Sequence, residues 1–271
     1  MDPVQAIDVH AHYGRYRAGA SFERIEGFYS GDEGVVLKRA RRAGTCITIV
    51  SPLQALLPRC GADPVSGNAD AARVVAANKG LRQWVVVDPL KPETFDQADD
   101  MLKLPTCVGI KIHPEEHGYP VSEHGEAIFA FAADRSATVQ SHSGEQNSMP
   151  EDFVPFADRF PEVTLILSHL GCSWDDDLTH QVRAVQEARR GNVFTDTSSA
   201  KSVTSGLLEW AVKEIGADRI FYGTDSPLYF APMQRARIEH ADIRDAAKRL
   251  ILRENAVRML NLGQTREGEE G

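Results

Sequence analysis

The sequence predicts a single α/β domain of the (β/α)₈ barrel type, and three observations carry that prediction. Eight short apolar, β-branched runs recur at intervals of roughly 25 to 40 residues, the spacing of strand-plus-helix units. Segments with helical periodicity fill the intervals. No composition shift or Pro/Gly-rich linker divides the 271 residues, and a barrel of this kind needs about 250. Strict alternation of strand and helix implies a parallel sheet, and eight units favour closure over an open sheet.

In chain order the first strand is Val4–His10, followed by a long connection, Tyr13–Asp32, and a helical stretch, Glu33–Ala43. Thr45–Val50 is the second, with a second long connection, Ser51–Gly67, before Ala69–Asn78. Gln83–Val87 precedes the helical Glu93–Leu102, and Val108–His113 precedes Glu123–Asp134. Ala137–His142 and Val163–His169 are the fifth and sixth strands, and Asp175–Arg190 has helical periodicity. Asn192–Asp196 leads to Val203–Ile215. Arg219–Asp225, a third long connection Ser226–His240 and the helical Ile243–Leu260 complete the set. The barrel is expected over residues 1–262. The tail, 263–271, is rich in Glu and Gly and is expected to be disordered.

Composition removes several function classes. A net charge of −9 argues against a nucleic-acid surface, which would show a basic stripe. Lys38, Arg39, Arg41 and Arg42 cluster, but on a periodic segment, where they read as a solvated helix face. No apolar stretch approaches the ~20 residues of a membrane span. Met1-Asp2-Pro3 lacks the basic and apolar regions of a secretory signal. Cys46, Cys60, Cys107 and Cys172 have neither CxxC spacing nor the density of a disulfide framework, which suits a cytoplasmic protein with buried thiols.

The informative residues stand at the carboxyl ends of the strands, the face on which barrel enzymes build their active sites. Side chains alternate along a strand, so Asp8, His10 and His12 share one face, and two imidazoles there can grip one divalent ion. The fourth strand ends in Lys111 and His113. The fifth ends in His142, within Gln-Ser-His-Ser-Gly, the sixth in His169, within Leu-Ser-His-Leu-Gly, and the eighth in Asp225, within Tyr-Gly-Thr-Asp-Ser-Pro. A closed barrel brings these ends toward one point.

With those motifs in place, the chain resembles the amidohydrolase superfamily, in particular the amidohydrolase 2 branch of short metal-dependent TIM-barrel hydrolases. That branch includes aminocarboxymuconate-semialdehyde decarboxylase-like enzymes. The elements carrying the resemblance are Asp8-x-His10-x-His12, Gly109-Ile-Lys111-Ile-His113-Pro114, His142, Ser168-His169-Leu-Gly171, Gly223-Thr-Asp225 and Asn255-Ala-Val-Arg258-Met-Leu260. They span nearly the whole chain. They speak for the superfamily and not for a substrate.

The resemblance implies that His10, His12, His142 and Asp225 ligate one divalent ion, zinc first, with Mn, Fe or Ni as alternatives. Asp225 would also shuttle the proton of an attacking water, and His169 would orient that water or steady an oxyanion. Asp8 is a weaker candidate for fixing an imidazole tautomer, because it lies one layer below His10. Some relatives hold two metals across a carboxylated lysine, which Lys111 makes conceivable, but one metal is the arrangement expected here. Lys111 and His113 are then substrate contacts, and a cationic Lys111 suits a carboxylate or an enolate-like oxygen.

The long connections add Arg15, Arg17, Tyr13, Tyr16, Phe22, Arg59, Tyr229 and Phe230 as candidate substrate contacts. Trp174, following His169, either lines the pocket or packs. His117, His124, His180 and His240 read as surface residues, and Trp84 as a core anchor. The stretch Phe22–Phe28 suits a lid or a contact between copies of the chain in a homo-oligomer. The first expectation is therefore hydrolysis of an ester, lactone or amide of a small, acidic substrate. Decarboxylation of an aromatic or muconate-type acid is the alternative, disfavoured because the chain looks shorter than such decarboxylases. A non-catalytic metal or ligand binder is the third reading.

Overall fold

The computed structural model describes residues 4–16, 23–58, 61–260 and 262. Arg17, Phe22, Arg59, Cys60 and the tail 263–271 lie outside the described residues. Eight strands, β1 (Ala6–Tyr13), β2 (Thr45–Pro52), β3 (Leu81–Val86), β4 (Cys107–Ile112), β5 (Val139–Ser141), β6 (Leu165–Leu167), β7 (Val193–Asp196) and β8 (Ile220–Phe221), pair in sequence order. Every pairing from β1·β2 to β7·β8 is parallel. The last strand returns to the first through an isolated parallel bridge, Ala11 to Ser226. Backbone bonds from Val9 N to Tyr222 O (2.9 Å) and from Asp225 N to His10 O (2.8 Å) complete the seam. The expected (β/α)₈ barrel is the fold observed.

The helices are α1 (Glu23–Tyr29), α2 (Glu33–Arg42), α3 (Leu53–Leu56), α4 (Pro64–Ala77), α5 (Glu93–Met101), α6 (Pro114–His117) and α7 (Val121–Asp134) in the first half. In the second half they are α8 (Pro150–Arg159), α9 (His180–Glu187), α10 (Leu207–Ile215), α11 (Ala231–Glu239), α12 (Asp245–Arg249) and α13 (Asn255–Met259). Local chemistry starts several of them. The Asp32 carboxylate accepts from Val35 N at 2.8 Å to cap α2, and Asp63 caps α4 through Val65 N and Ser66 N, with Pro64 at the first helical position.

Several elements differ from the sequence expectation, three of them helical segments in the second half of the chain. The connection Ser226–His240 contains α11, whose buried face is Ala231, Gln234, Arg235 and Ile238. Two of those four side chains are polar, so the apolar period that marks a helix is missing. Gln234 and Arg235 are buried because their donors are satisfied: Gln234 Nε2 reaches Ser199 O (2.8 Å), and Arg235 reaches the carbonyls of Ala43, Gly44 and Val4. Ile243–Leu260 is divided into α12, a π-helical turn over Leu250–Glu254 and α13. The Asn255 amide there bonds the carbonyls of Ala217 and Ile220, both at 2.8 Å. The periodic Asp175–Arg190 is helical only over α9, the residues before it forming part of the loop after β6.

Beneath the carboxyl-end face the barrel is filled, as small barrels are. The Trp84 indole N–H (β3) and the Gln140 amide (β5) both donate to the Val9 carbonyl of β1, at 2.8 and 3.0 Å. These bonds cross the interior and close its floor, so what lies above is a cup and not a channel. No helix among the described residues is long and apolar enough to cross a membrane.

Candidate active site

His10 and His12 project from β1 on one side of Ala11, and all three are buried. The Nδ1 of His10 lies 3.0 Å from Asp196 Oδ2, and that of His12 lies 3.0 Å from the Ser51 carbonyl oxygen. A carboxylate and a carbonyl can only accept, so each imidazole carries its proton on Nδ1 and turns an Nε2 lone pair outward. Asp225 meets those lone pairs, its Oδ1 lying 2.9 Å from His12 Nε2 and 3.7 Å from His10 Nε2. Burial alone would raise the Asp225 pKa. The nearby imidazoles of His12, His169 and His10 instead hold it well below the usual carboxylate range.

Three buried acceptors that face one another repel unless a proton or a cation stands among them. Two imidazoles and a carboxylate form a set that zinc, manganese or iron accepts. The residues therefore fit a divalent metal, and this fit rests on tautomers fixed by Asp196 and Ser51. Burial, reinforced by Lys111, pushes the His10 pKa well below its ordinary value, in keeping with a neutral ligand.

Asp196, at the end of β7, is one of the residues that sequence reasoning missed. It is fully buried and accepts from His10 Nδ1, Gln140 Nε2 (3.3 Å), His169 N (3.1 Å), Ser198 N (3.0 Å) and the Ser198 hydroxyl. Its ligand atoms, with those of His10 and His169, form a second compact group. Donors already surround that carboxylate, so it orients the imidazole and the β6 loop. The signal was present, since the seventh apolar run ends in Asp as the eighth does. Asp8 does not fix a tautomer: its carboxylate accepts from His10 N, Thr224 N and the Thr224 hydroxyl, joining β1 to the residues after β8.

His169 and Asp225 both have left-handed backbone, φ 73° and 54°, which is uncommon for residues with a side chain. The bends aim both side chains into the cup where their strands end. His169 Nδ1 donates to Ser198 Oγ at 2.7 Å, because the Ser198 hydroxyl itself donates to Asp196. His169 Nε2 lies 3.0 Å from His142 Nδ1. His142 Nε2 lies 2.8 Å from Glu145 Oε2, and the ring stacks on His113 with centroids 4.0 Å apart. The structure thus brings His10, His12 and Asp225 together and places His142 on Glu145 and His169, outside that trio of ligand atoms.

Lys111 is buried at the base of the cup. Its Nζ lies 3.3 Å from both His10 Nε2 and Ser168 Oγ. Burial draws its pKa down to about 8, against the opposing pull of Asp196 and Asp225. The cavity above has a volume of about 350 Å³ and is lined by His10, His12, Lys111, His113, His142, His169 and Asp225. Tyr16, Leu53, Leu56, Leu57, Glu116, Glu145, Cys172, Ser199, Leu228 and Tyr229 complete the lining. Trp174 is 58% exposed and does not line it. Nor does Arg15, whose guanidinium pairs with Glu26 at 3.2 Å and borders a neighbouring cavity with Tyr13 and Asp70. The leucines of α3 and both glutamates were not among the sequence candidates.

The family model described as amidohydrolase matches residues 7–262. The chain has no significant match among curated protein sequences. Among solved structures it is similar to 5-carboxyvanillate decarboxylase from Sphingomonas paucimobilis (15% identity, TM-score 0.75, covering 96% of this chain and 99% of that one). It is also similar to 2,6-dihydroxybenzoate decarboxylase from Rhizobium (16%, 0.72, 95% and 98%). A third likeness is to a dihydroxybenzoic acid decarboxylase from a Polaromonas species with bound manganese and the inhibitor 2-nitroresorcinol (15%, 0.70, 95% and 97%). At these identities the likeness establishes the fold.

Proposed function

Because the chain belongs to the amidohydrolase family, we propose that it is a metal-dependent decarboxylase of a small aromatic carboxylic acid. The observation that carries this reading is the cup itself. A buried lysine lies beside a convergent His10, His12 and Asp225 set, beneath a wall of leucines against which a flat ring can lie. The named activities of the similar structures lend support, and they shift the balance away from the hydrolysis first expected.

His10, His12 and Asp225 would hold one divalent ion, with His142 as the further ligand the family pattern supplies. Imidazole and carboxylate donors suit manganese, present in one of the similar decarboxylases, as well as zinc. When bound, the ion supplies positive charge that polarises the oxygens of the substrate. Lys111 anchors the carboxylate beside it, as a compact cation in a buried site does. Loss of the carboxyl group as carbon dioxide leaves an electron pair on the ring carbon, which must take up one proton. Asp225, itself one of those ligands, and His169 line the cup and would carry that proton. His113, stacked on His142, borders the ring.

Hydrolysis stays as a second reading because Asp225 is equally placed to take a proton from water, the chemistry the family description denotes. One assay separates the two. Metal-reconstituted protein is incubated in ¹⁸O water with carboxyl-labelled aromatic acids that also carry an ester or amide group. Labelled carbon dioxide without product ¹⁸O is expected; ¹⁸O in the product with all carbon retained would hand the assignment to hydrolysis.

A further inference from the structure

A second cavity, of about 320 Å³, lies beside the cup, lined in part by Tyr13, Pro52, Gln54, Ala62 and Asp70. Leu53 and Leu57 line it too, and among the described residues they alone line both cavities. Leu56, which stands between them in sequence, lines only the cup. The second cavity reaches the surface at Gln54 and Gly61, both exposed. Its polar groups are already paired. The Tyr13 hydroxyl donates to Asp70 Oδ2 at 2.9 Å, and Gln54 Nε2 donates to Ser66 Oγ at 3.1 Å. Pro52, Ala62 and the two leucines are left to meet an apolar chain.

The partition is built on α3 and held from behind. Residues three and four apart on a helix are neighbours, and Leu57 N donates to Leu53 O at 3.0 Å as the helix ends. Both leucines are buried and pack in one apolar cluster with Ala55, Leu56 and Val86. On α4, a Cβ at Gly67 would come within 2.8 Å of Ala55, so the two helices already touch. The buried His117 imidazole donates from Nε2 to the Ala55 carbonyl at 3.2 Å. With α3 fixed in this way, two side chains decide whether the cavities join. We infer that Leu53 and Leu57 set the length limit of the substrate. They confine it to the cup's 350 Å³ or so, near the lower end of the roughly 300–1,000 Å³ of small-molecule sites, and exclude acids whose substituent needs the space behind them. The inference rests on the aromatic-acid reading above and deepens it. Opening the partition nearly doubles the room.

The test uses 3- and 4-alkoxybenzoates, from methoxy to hexyloxy, with binding to metal-reconstituted protein measured by calorimetry. The parent is expected to bind the hexyloxy acids at least about tenfold more weakly than the methoxy acids, since a hydrophobic wall discriminates by about that much or more per misplaced methylene. Leu57→Ala and Leu53→Ala are each expected to recover about tenfold in affinity for at least one hexyloxy isomer, and Leu56→Ala to recover none. Adding Gln54→Trp to Leu57→Ala fills the second cavity from its outer wall and is expected to cancel the gain. Should the alanine variants not fold, Leu57→Val is expected to show a smaller gain in the same direction. Parent affinity that does not fall with chain length overturns the inference while leaving an aromatic-acid enzyme standing. So does an equal gain from Leu56→Ala, or a gain that survives Gln54→Trp. Failure of the methoxy acids to bind a demonstrably metal-loaded parent overturns it together with the aromatic-acid reading.

Discussion

Asp196 shows how much of the site depends on a side chain that need not touch substrate. Its Oδ2 fixes the proton of His10 on Nδ1, and its Oδ1 collects Ser198 and the backbone of His169. Replacing an outer carboxylate of this kind typically costs 10–100-fold in metal affinity. Asp196→Asn is therefore expected to weaken divalent-metal binding by about 10–100-fold, read by competition with a chromophoric chelator. An unchanged affinity in a folded variant would mean that His10 is not oriented from β7. At this scale the sequence was legible where residues repeat a position: His10, His12, His142, His169 and Asp225 all lie at or near the carboxyl ends of the expected strands. It was less legible for Asp196, which ends a strand but was not joined to the others. It was silent on Glu116 and Glu145, whose placement depends on the path of the loops after β4 and β5. Arg15 looked like a substrate contact because nothing in its own segment announces that Glu26, eleven residues on, takes its guanidinium.

One element explains a residue that the motifs contain without chemistry of its own. Gly109 lies within β4, two residues before Lys111. A Cβ there would strike the Thr138 carbonyl and come within 2.7 Å of the Trp84 ring, so the β3, β4 and β5 strands pack together only over a bare backbone. Gly109→Ala is expected to cost about 1–3 kcal/mol in chemical denaturation, the range for overpacking a filled core. A neutral result would mean that the barrel floor has slack that the geometry does not show.

Between α10 and α11, Glu209 accepts from Arg237 through both oxygens (3.1 and 2.6 Å) and from Asp242 N. The Arg237 hydrogen bonds, against the opposing effect of burial, lower the Glu209 pKa to about 2, below its ordinary 4.5. The folded carboxylate thus binds fewer protons than the unfolded one between those values. Its stabilisation is complete above pH 4.5 and disappears as pH falls toward 2. Glu209→Gln should be less stable than the parent by about 1–2 kcal/mol at pH 7, allowing for solvent screening, with the gap closing in acid. A gap that stays constant with pH would assign the loss to packing. The periodicity of α10 made that helix legible, whereas α11 stayed hidden because Gln234 and Arg235 occupy its buried face.

For the whole molecule, the spacing of apolar runs was enough to read eight units, because each parallel strand must be followed by a crossover long enough to return the chain. Closure followed from that count. What spacing could not supply was where strands yield to loops. β5, β6 and β8 stop one or more residues before His142, His169 and Asp225, and two of those residues take left-handed backbone that no apolar pattern signals. Reaction class was equally out of reach of the motifs. The same ligands serve hydrolysis and carbon–carbon cleavage, and only the surrounding walls distinguish what can enter.

His10, His12 and Asp225, with tautomers set by Ser51 and Asp196, are proposed to converge on one divalent cation. Crystals of the protein, diffracted across the absorption edges of manganese, iron and zinc, test it most directly. One anomalous peak is expected about 2.0–2.3 Å from His10 Nε2, His12 Nε2 and an Asp225 oxygen. A metal-loaded protein whose peak lies away from those three atoms, for instance between His169 and Asp196, would contradict it.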